Sequence, residues 1–252
     1  MKNDQMQFCI DFIRFNQNSE GFDLDEQTEE VLRQILDDEI STDNAVEDYI
    51  EKEKLETVFK PLSDNSVFYP NKSIQVNYFN IKDKKKLKKI ENHIYPLRLA
   101  EILKNEKPTK FDFEFLKDLH SSLFGDIYPH AGEVRTFSAS KRIVFCQPEF
   151  IENMSITLFK KLQNDRYLTN KDRRSFINDL AYYMGEMEAL HPFTDGNGRA
   201  TRIFFHFLSL HANYQIQWFE IDPDDLLEAD ISAIDGEYQL LVDVLNDAIL
   251  DD

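Results

Sequence analysis

Apolar residues crowd the stretch 172–190, among them Phe176, Ile177, Leu180, Tyr183, Met184, Met187 and Leu190. That pattern predicts a buried central helix, which needs other elements packed around it. Seven glycines and eight prolines in 252 residues disfavour turn-rich sandwiches, propellers and collagen-like repeats, so the surrounding elements lean toward helices. With 42% apolar and 13% aromatic residues, the chain can bury a real core. At roughly 150 residues per domain, its length allows one or two domains.

Local signals place those helices. Residues 5–20 put Cys9, Phe12 and Ile13 on one stripe, with Gly21 where a helix stop belongs. A second amphipathic helix follows from Asp25 with Val31, Leu32, Ile35, Leu36 and Ile40 on its apolar side. Ser41 or Thr42 can cap a third, which carries Val46, Tyr49 and Ile50. Residues 59–80 hold two prolines and several turn residues and read as a linker. The basic run from Lys82 to Lys89 reads as a solvated helix face. A helical pattern resumes at Pro96, taken as a first helical residue, and another runs from Asp112 as cap to Leu123. The β-favouring runs Val134–Phe137 and Ile143–Cys146 suggest a short hairpin with residues 138–142 as its tip. Residues 150–164 are helical again, and Asp222-Pro223-Asp224 is a helix start.

Charge narrows the function. Residues 1–60 carry 17 acids and 6 bases, residues 61–202 carry 18 acids and 23 bases, and residues 203–252 carry 12 acids and no Lys or Arg. Only the middle suits anionic ligands, and a chain of net charge −18 is a poor nonspecific binder of nucleic acid. Cys9 and Cys146 show no metal-ligand or disulfide spacing. The start, MKNDQMQFCIDF, has no apolar run suited to a signal peptide or membrane span, so the expected place is the cytoplasm, away from membranes.

The central helix runs into HPFTDGNGRATR at 191–202. Pro192 cuts the helix, Gly196 and Gly198 permit a tight backbone, and a new helix begins near Asn197–Arg199. A glycine-rich turn feeding a helix N-terminus offers N–H groups and a positive dipole end, which favour phosphate. Arg199 and Arg202 are three apart, so they share a face and can reach one polyphosphate. Asp195 is a hard oxygen ligand suited to Mg²⁺ shared with substrate phosphates. His191 titrates at about 6.5 when unperturbed, which suits a general base. There is no Gly-x-x-x-x-Gly-Lys-Ser/Thr loop.

Residues 191–202 resemble the Fic-family signature His-Pro-Phe-x-Asp/Glu-Gly-Asn-Gly-Arg-x-x-Arg at every fixed position. Chance would give that match with a probability on the order of 10⁻¹⁰ at average residue frequencies. IYPHAGEVR at 127–135 is similar to the family's Tyr-Pro-Trp-Ala-Gly-x-x-Arg segment, with His130 for Trp. The resemblance implies an all-α fold, a helical bundle with a small β-hairpin flap. It also implies transfer of AMP from ATP to a protein Tyr, Thr or Ser hydroxyl with release of pyrophosphate. His191 would be the base, and Asp195 would hold Mg²⁺. Gly196, Asn197, Gly198 and Arg199 would hold the phosphates, and Arg202 the γ-phosphate. Lys141 at the flap tip and Phe145 in its second strand would pair with the target as an added strand.

The family contains members regulated by an inhibitory helix with the pattern Ser/Thr-x-x-x-Glu-Gly/Asn, built in or supplied as a separate antitoxin. Asn16-Gln-Asn-Ser-Glu20-Gly21 is similar, with Asn16 at the Ser/Thr position. By that resemblance Glu20 would pair with Arg202 and take the place of the γ-phosphate. The expected organisation is a three-helix inhibitory unit over 1–58, a linker over 59–80 and a catalytic domain over 81–252 with acidic C-terminal helices. The partner would be a protein substrate, with a topoisomerase ATPase subunit, a small GTPase and the chain itself as candidates, and the oligomeric state is open. Two other readings stand beside this one. One is an enzyme that removes AMP or works in both directions; Asp195, where a phosphate-transferring branch has Lys, argues against that branch. The other is a catalytically silent binding module with a plugged nucleotide pocket.

Overall fold

The computed structural model describes residues 2–58, 66–139 and 144–249. Among them are ten α-helices: α1 (Asn3–Asn18), α2 (Glu26–Leu36), α3 (Thr42–Lys52), α4 (Lys84–Asn105), α5 (Phe113–Phe124), α6 (Pro148–Asn164), α7 (Arg173–Leu190), α8 (Asn197–His211), α9 (Pro223–Ile234) and α10 (Gln239–Ala248). The all-helical class expected from composition and motif is the one observed. The chain forms two compact units, one of Met1–Glu106 with Ser121–Ala131 and one of Lys107–His120 with Gly132–Asp252.

In the first unit α1, α2 and α3 each pack against α4. The starts of α2, α3 and α4 follow side-chain chemistry. Asp25 Oδ1 accepts the Thr28 amide at 2.7 Å, Ser41 Oγ accepts that of Asn44 at 3.2 Å, and Asp83 Oδ1 accepts that of Lys86 at 2.7 Å. Phe12, Ile13, Leu32, Ile94, Tyr95 and Leu97 fill the interior. Residues 66–80 carry an antiparallel Phe68–Gln75 bridge and bury Tyr69, Val76 and Phe79. Lys84, Lys85, Lys86 and Lys89 of the basic run are exposed.

Pro96 does not open a helix. It lies inside α4, buried. A proline has no N–H, so the carbonyl of Asn92 four residues earlier loses its helical partner. Gln17 Nε2, from α1, donates to that oxygen at 2.6 Å. The break in one helix has become the docking point for another.

In the second unit α7 is surrounded by α6, α8, α9 and α10. Its neighbours come close at Gly185, where a Cβ would stand 2.8 Å from both Ala233 Cβ and Tyr238 Cε1. Ile203, Phe204, Phe205 and Leu208 of α8 are wholly buried, and Phe111 and Phe159 set their rings edge-on to Phe204 at 5.7 Å. Asp222 caps α9 through the Asp224 amide at 2.8 Å. Arg173 closes the far end of α10 on Asn246 O and Ile249 O, each at 2.7 Å, where a cation also meets the negative helix terminus.

The expected hairpin is not a strand ladder among the described residues. Its arms meet at Phe145 N and Ala139 O, 3.4 Å apart. Val144 is in a β-bridge, and Arg135 also ties the arms, its guanidinium taking the carbonyls of Phe137 and Cys146. The Arg135 and Cys146 amides go to Pro192 O and Ala189 O. The expected tip, with Lys141, lies outside the described residues.

Candidate active site

The site residues of the second unit sit where α7 gives way to α8. Pro192 cannot continue α7, and His191 ends it in the left-handed region at φ 43° and ψ 61°, a costly conformation for a residue with a side chain. The surroundings hold it there. His191 N donates to Met187 O at 3.2 Å, and His191 O accepts Arg135 Nε at 2.7 Å. The imidazole, 9% exposed, lies flat on Phe145 with centroids 3.7 Å apart and planes 10° apart. The flap residue and the candidate base are therefore in direct contact.

The loop is then tied to itself. Asn197 Oδ1 accepts the Phe193 amide at 2.8 Å and its Nδ2 donates to Phe193 O at 2.9 Å. Asn197 is buried, and through these two bonds it shapes the loop around the Gly196 turn. Phe193 stacks on His120 at 4.0 Å. His120 Nδ1 accepts the Gly132 amide at 2.9 Å, which leaves Nε2–H to donate to Asp195 O at 2.8 Å.

Gly196 caps α8 with φ 75°, a conformation open to glycine without steric cost. The amides that follow open α8, and a helix start leaves such groups without intrahelical acceptors. The carboxylate of Asp195 is exposed, with Oδ1 on the Gly196 amide at 2.9 Å. No group of three or more His, Cys, Asp or Glu among the described residues is arranged around a metal. One exposed carboxylate is nonetheless a suitable donor set for Mg²⁺, which keeps waters and substrate phosphates as its other ligands.

Arg199 and Arg202 are both buried. A Cβ on Gly198 would lie 3.3 Å from Arg202 Nη1 and 3.9 Å from Glu188 Oε1, so the absence of a side chain there leaves room for the Arg202 head beside Glu188. Asp230 of α9 belongs to the same cluster. Burial pushes its carboxyl well above the usual range, repulsion from Glu188 adds to the rise, and Arg202 opposes it. Sequence reasoning missed Glu188, Asp230, His120 and the role of Arg135. Glu188 is one of several charged residues in α7, beside Glu186 and Asp179, so nothing local marked it or the others.

The inhibitory-motif residues lie in the first unit. Asn16 is buried and its Nδ2 donates to Phe12 O at 2.9 Å. Glu20 Oε2 pairs with Lys88 Nζ at 3.2 Å.

Comparison with known proteins agrees with this geometry. Residues 110–209 match the Fic/DOC family. Over 174 residues the chain is 32% identical to the probable protein adenylyltransferase Fic of Escherichia coli, covering 69% of this chain and 86% of that one. It is also 32% identical over 173 residues to protein adenylyltransferase VbhT of Bartonella schoenbuchensis, covering 68% of this chain but only 36% of that longer protein. The crystal structure of BepC from Bartonella tribocorum with bound AMPPNP superposes with a TM-score of 0.67 at 25% identity, covering 74% of this chain and 97% of that one. The chain belongs to the Fic/DOC family, and these curated relatives are named for a nucleotidyltransferase activity.

Proposed function

We propose that this chain is a protein adenylyltransferase that moves AMP from ATP to a protein hydroxyl and releases pyrophosphate, restrained by its own N-terminal helix. One observation carries the reading: the α7–α8 junction holds a buried, stacked histidine next to a glycine-capped helix start with two arginines on its first turns. Named relatives with the same activity and a nucleotide-bound neighbour support it.

A target hydroxyl attacks poorly at neutral pH, since a tyrosine titrates at about 10. His191 takes its proton as the oxygen bonds to the α-phosphorus and the bond to the β-phosphate oxygen breaks. The α8 N-terminus and Arg199 hold the phosphates, and Arg202 takes the γ-phosphate, which aligns the leaving pyrophosphate opposite the attacking oxygen. Asp195 is suited to hold Mg²⁺, and that ion, when bound, supplies neutralisation of charge on the pyrophosphate. Phe145 forms part of the edge on which the target strand docks. The brake rests on the Asn16–Gly21 motif and the acidic character of residues 1–60.

The test uses ATP labelled on the α-phosphate in a lysate with Mg²⁺. Glu20→Gly should incorporate more label than the unsubstituted chain. Adding His191→Ala should lower that by about 10²–10⁴, the usual worth of a general base. Equal incorporation with and without Glu20 removes the brake. No incorporation by either removes adenylyl transfer, and loss of an AMP-removing activity in Glu20→Gly would point to the reverse reaction.

A further inference from the structure

Arg135 is 2% exposed, and among the described residues its guanidinium makes three hydrogen bonds, none to a carboxylate. Nη1 donates to Phe137 O at 2.7 Å on the first flap arm, Nη2 to Cys146 O at 2.5 Å on the second, and Nε to His191 O at 2.7 Å. Burying a cation whose partners are carbonyls rather than carboxylates is expensive. Burial accordingly pulls its proton affinity below the usual arginine range. What arginine offers for that cost is a rigid planar fork of donors, which a lysine ammonium lacks.

We infer that Arg135 is a positioning residue that locks the two flap arms and the backbone of His191 into one piece, so that a target strand seated on the flap meets a base already oriented. The inference rests on the adenylyl-transfer reading and adds to it a device that links target docking to catalysis. Three further links run in parallel. Arg135 N donates to Pro192 O at 2.9 Å, Cys146 N donates to Ala189 O at 2.9 Å, and the ring of Phe145, next to Cys146, stacks on the His191 ring. Arms held only by each other would move independently of the loop. With Arg135 between them, a shift of the flap moves the carbonyl of the catalytic residue itself.

The test places Arg135→Lys and Arg135→Ala in the full-length Glu20→Gly chain. Three readouts are taken: kcat and target KM for AMP transfer, ADP affinity by calorimetry, and the His191 imidazole signals of histidine-labelled protein, assigned by their loss in His191→Ala. Arg135→Lys should lower transfer by about 10–100-fold, the scale of a small misplacement of reacting groups. ADP affinity should stay within about twofold, because the phosphate-binding groups are untouched. The His191 signals should shift, and millimolar guanidinium should restore part of the activity of Arg135→Ala.

Unchanged transfer with unchanged His191 signals overturns the proposal. So does a loss of ADP affinity in step with activity and without guanidinium rescue, which describes general damage. If Glu20→Gly itself transfers no AMP, the adenylyl-transfer reading falls while the His191 signals still decide the role of Arg135. Should both variants unfold, the Arg135 Nε proton of the unsubstituted chain decides. Exchange slowed about tenfold or more against exposed arginines supports the lock, and exchange at the exposed rate overturns it.

Discussion

In the first unit, helices meet through an apolar interior closed by long-range polar ties. Gln17 reaches Asn92 O, Lys104 reaches Ile35 O and Asp38, and Arg98 reaches Asp43 and Asp126. In the second, Phe111, Phe176, Phe193, Phe204 and Phe205 are all wholly enclosed, one set of polar ties lies around the α7–α8 loop, and another, such as Arg173 to Asn246 O, joins helices. The contrast separates two ways of spending polar groups. The first unit uses them to join helices. The second uses some of them the same way and sets others around one loop.

The largest expected difference follows from the second unit's dependence on burial. Phe204→Ala removes a ring in contact with Phe111, Phe115, Phe159 and Phe205, and should destabilise that unit by about 3–5 kcal/mol in denaturant melts. A loss under about 1 kcal/mol would mean the aromatic core is not what holds it.

Acid should act next. Burial pushes His206 down to about 4, below the roughly 6.5 of an unfolded histidine. As pH falls the unfolded chain takes up the proton first. The stability is therefore fully present above about pH 6.5 and is lost between there and about 4, up to about 3 kcal/mol. Melts across that window should show the slope in the unsubstituted chain and a flatter one in His206→Gln. His130, in the first unit, is also pushed down to about 4 by burial, so His130→Gln should flatten the acid response there too.

The smallest effect tests the polar tie. Gln17→Leu leaves Asn92 O buried without its donor and should cost about 1–3 kcal/mol. Pro96→Ala supplies the missing helical N–H, so in the Gln17→Leu background it should recover part of the loss. A double-mutant cycle with no coupling would break the link between the two residues.

Much of this was legible in residue order. Asp25, Ser41, Asp112 and Asp222 announce their helices because a cap bonds to an amide two or three residues on, and that bond is local. The signature at 191–202 was legible for the same reason, since its work is done by one turn and the helix it feeds. Pro96 was misread because the usual rule for a proline assumes that nothing else satisfies the freed carbonyl, and Gln17 does so from 75 residues away. The alternation of the hairpin arms was legible too, but it says nothing of Arg135, which ties both arms through the carbonyls of Phe137 and Cys146. Likewise Asp230 joins Arg202 and Glu188 only because α9 packs on α7.

What the amino-acid order determined alone is whatever acts within about a turn: helix starts, the His191–Arg202 loop, and the acidic character of residues 1–60. Tertiary structure alone decided which buried groups face one another: Phe145 on His191, His120 on Asp195 O, Arg135 across three carbonyls. A hydrogen bond or ring stack needs its partners within a few ångströms in fixed orientation, and for residues dozens of positions apart only the packing of the whole unit sets that distance.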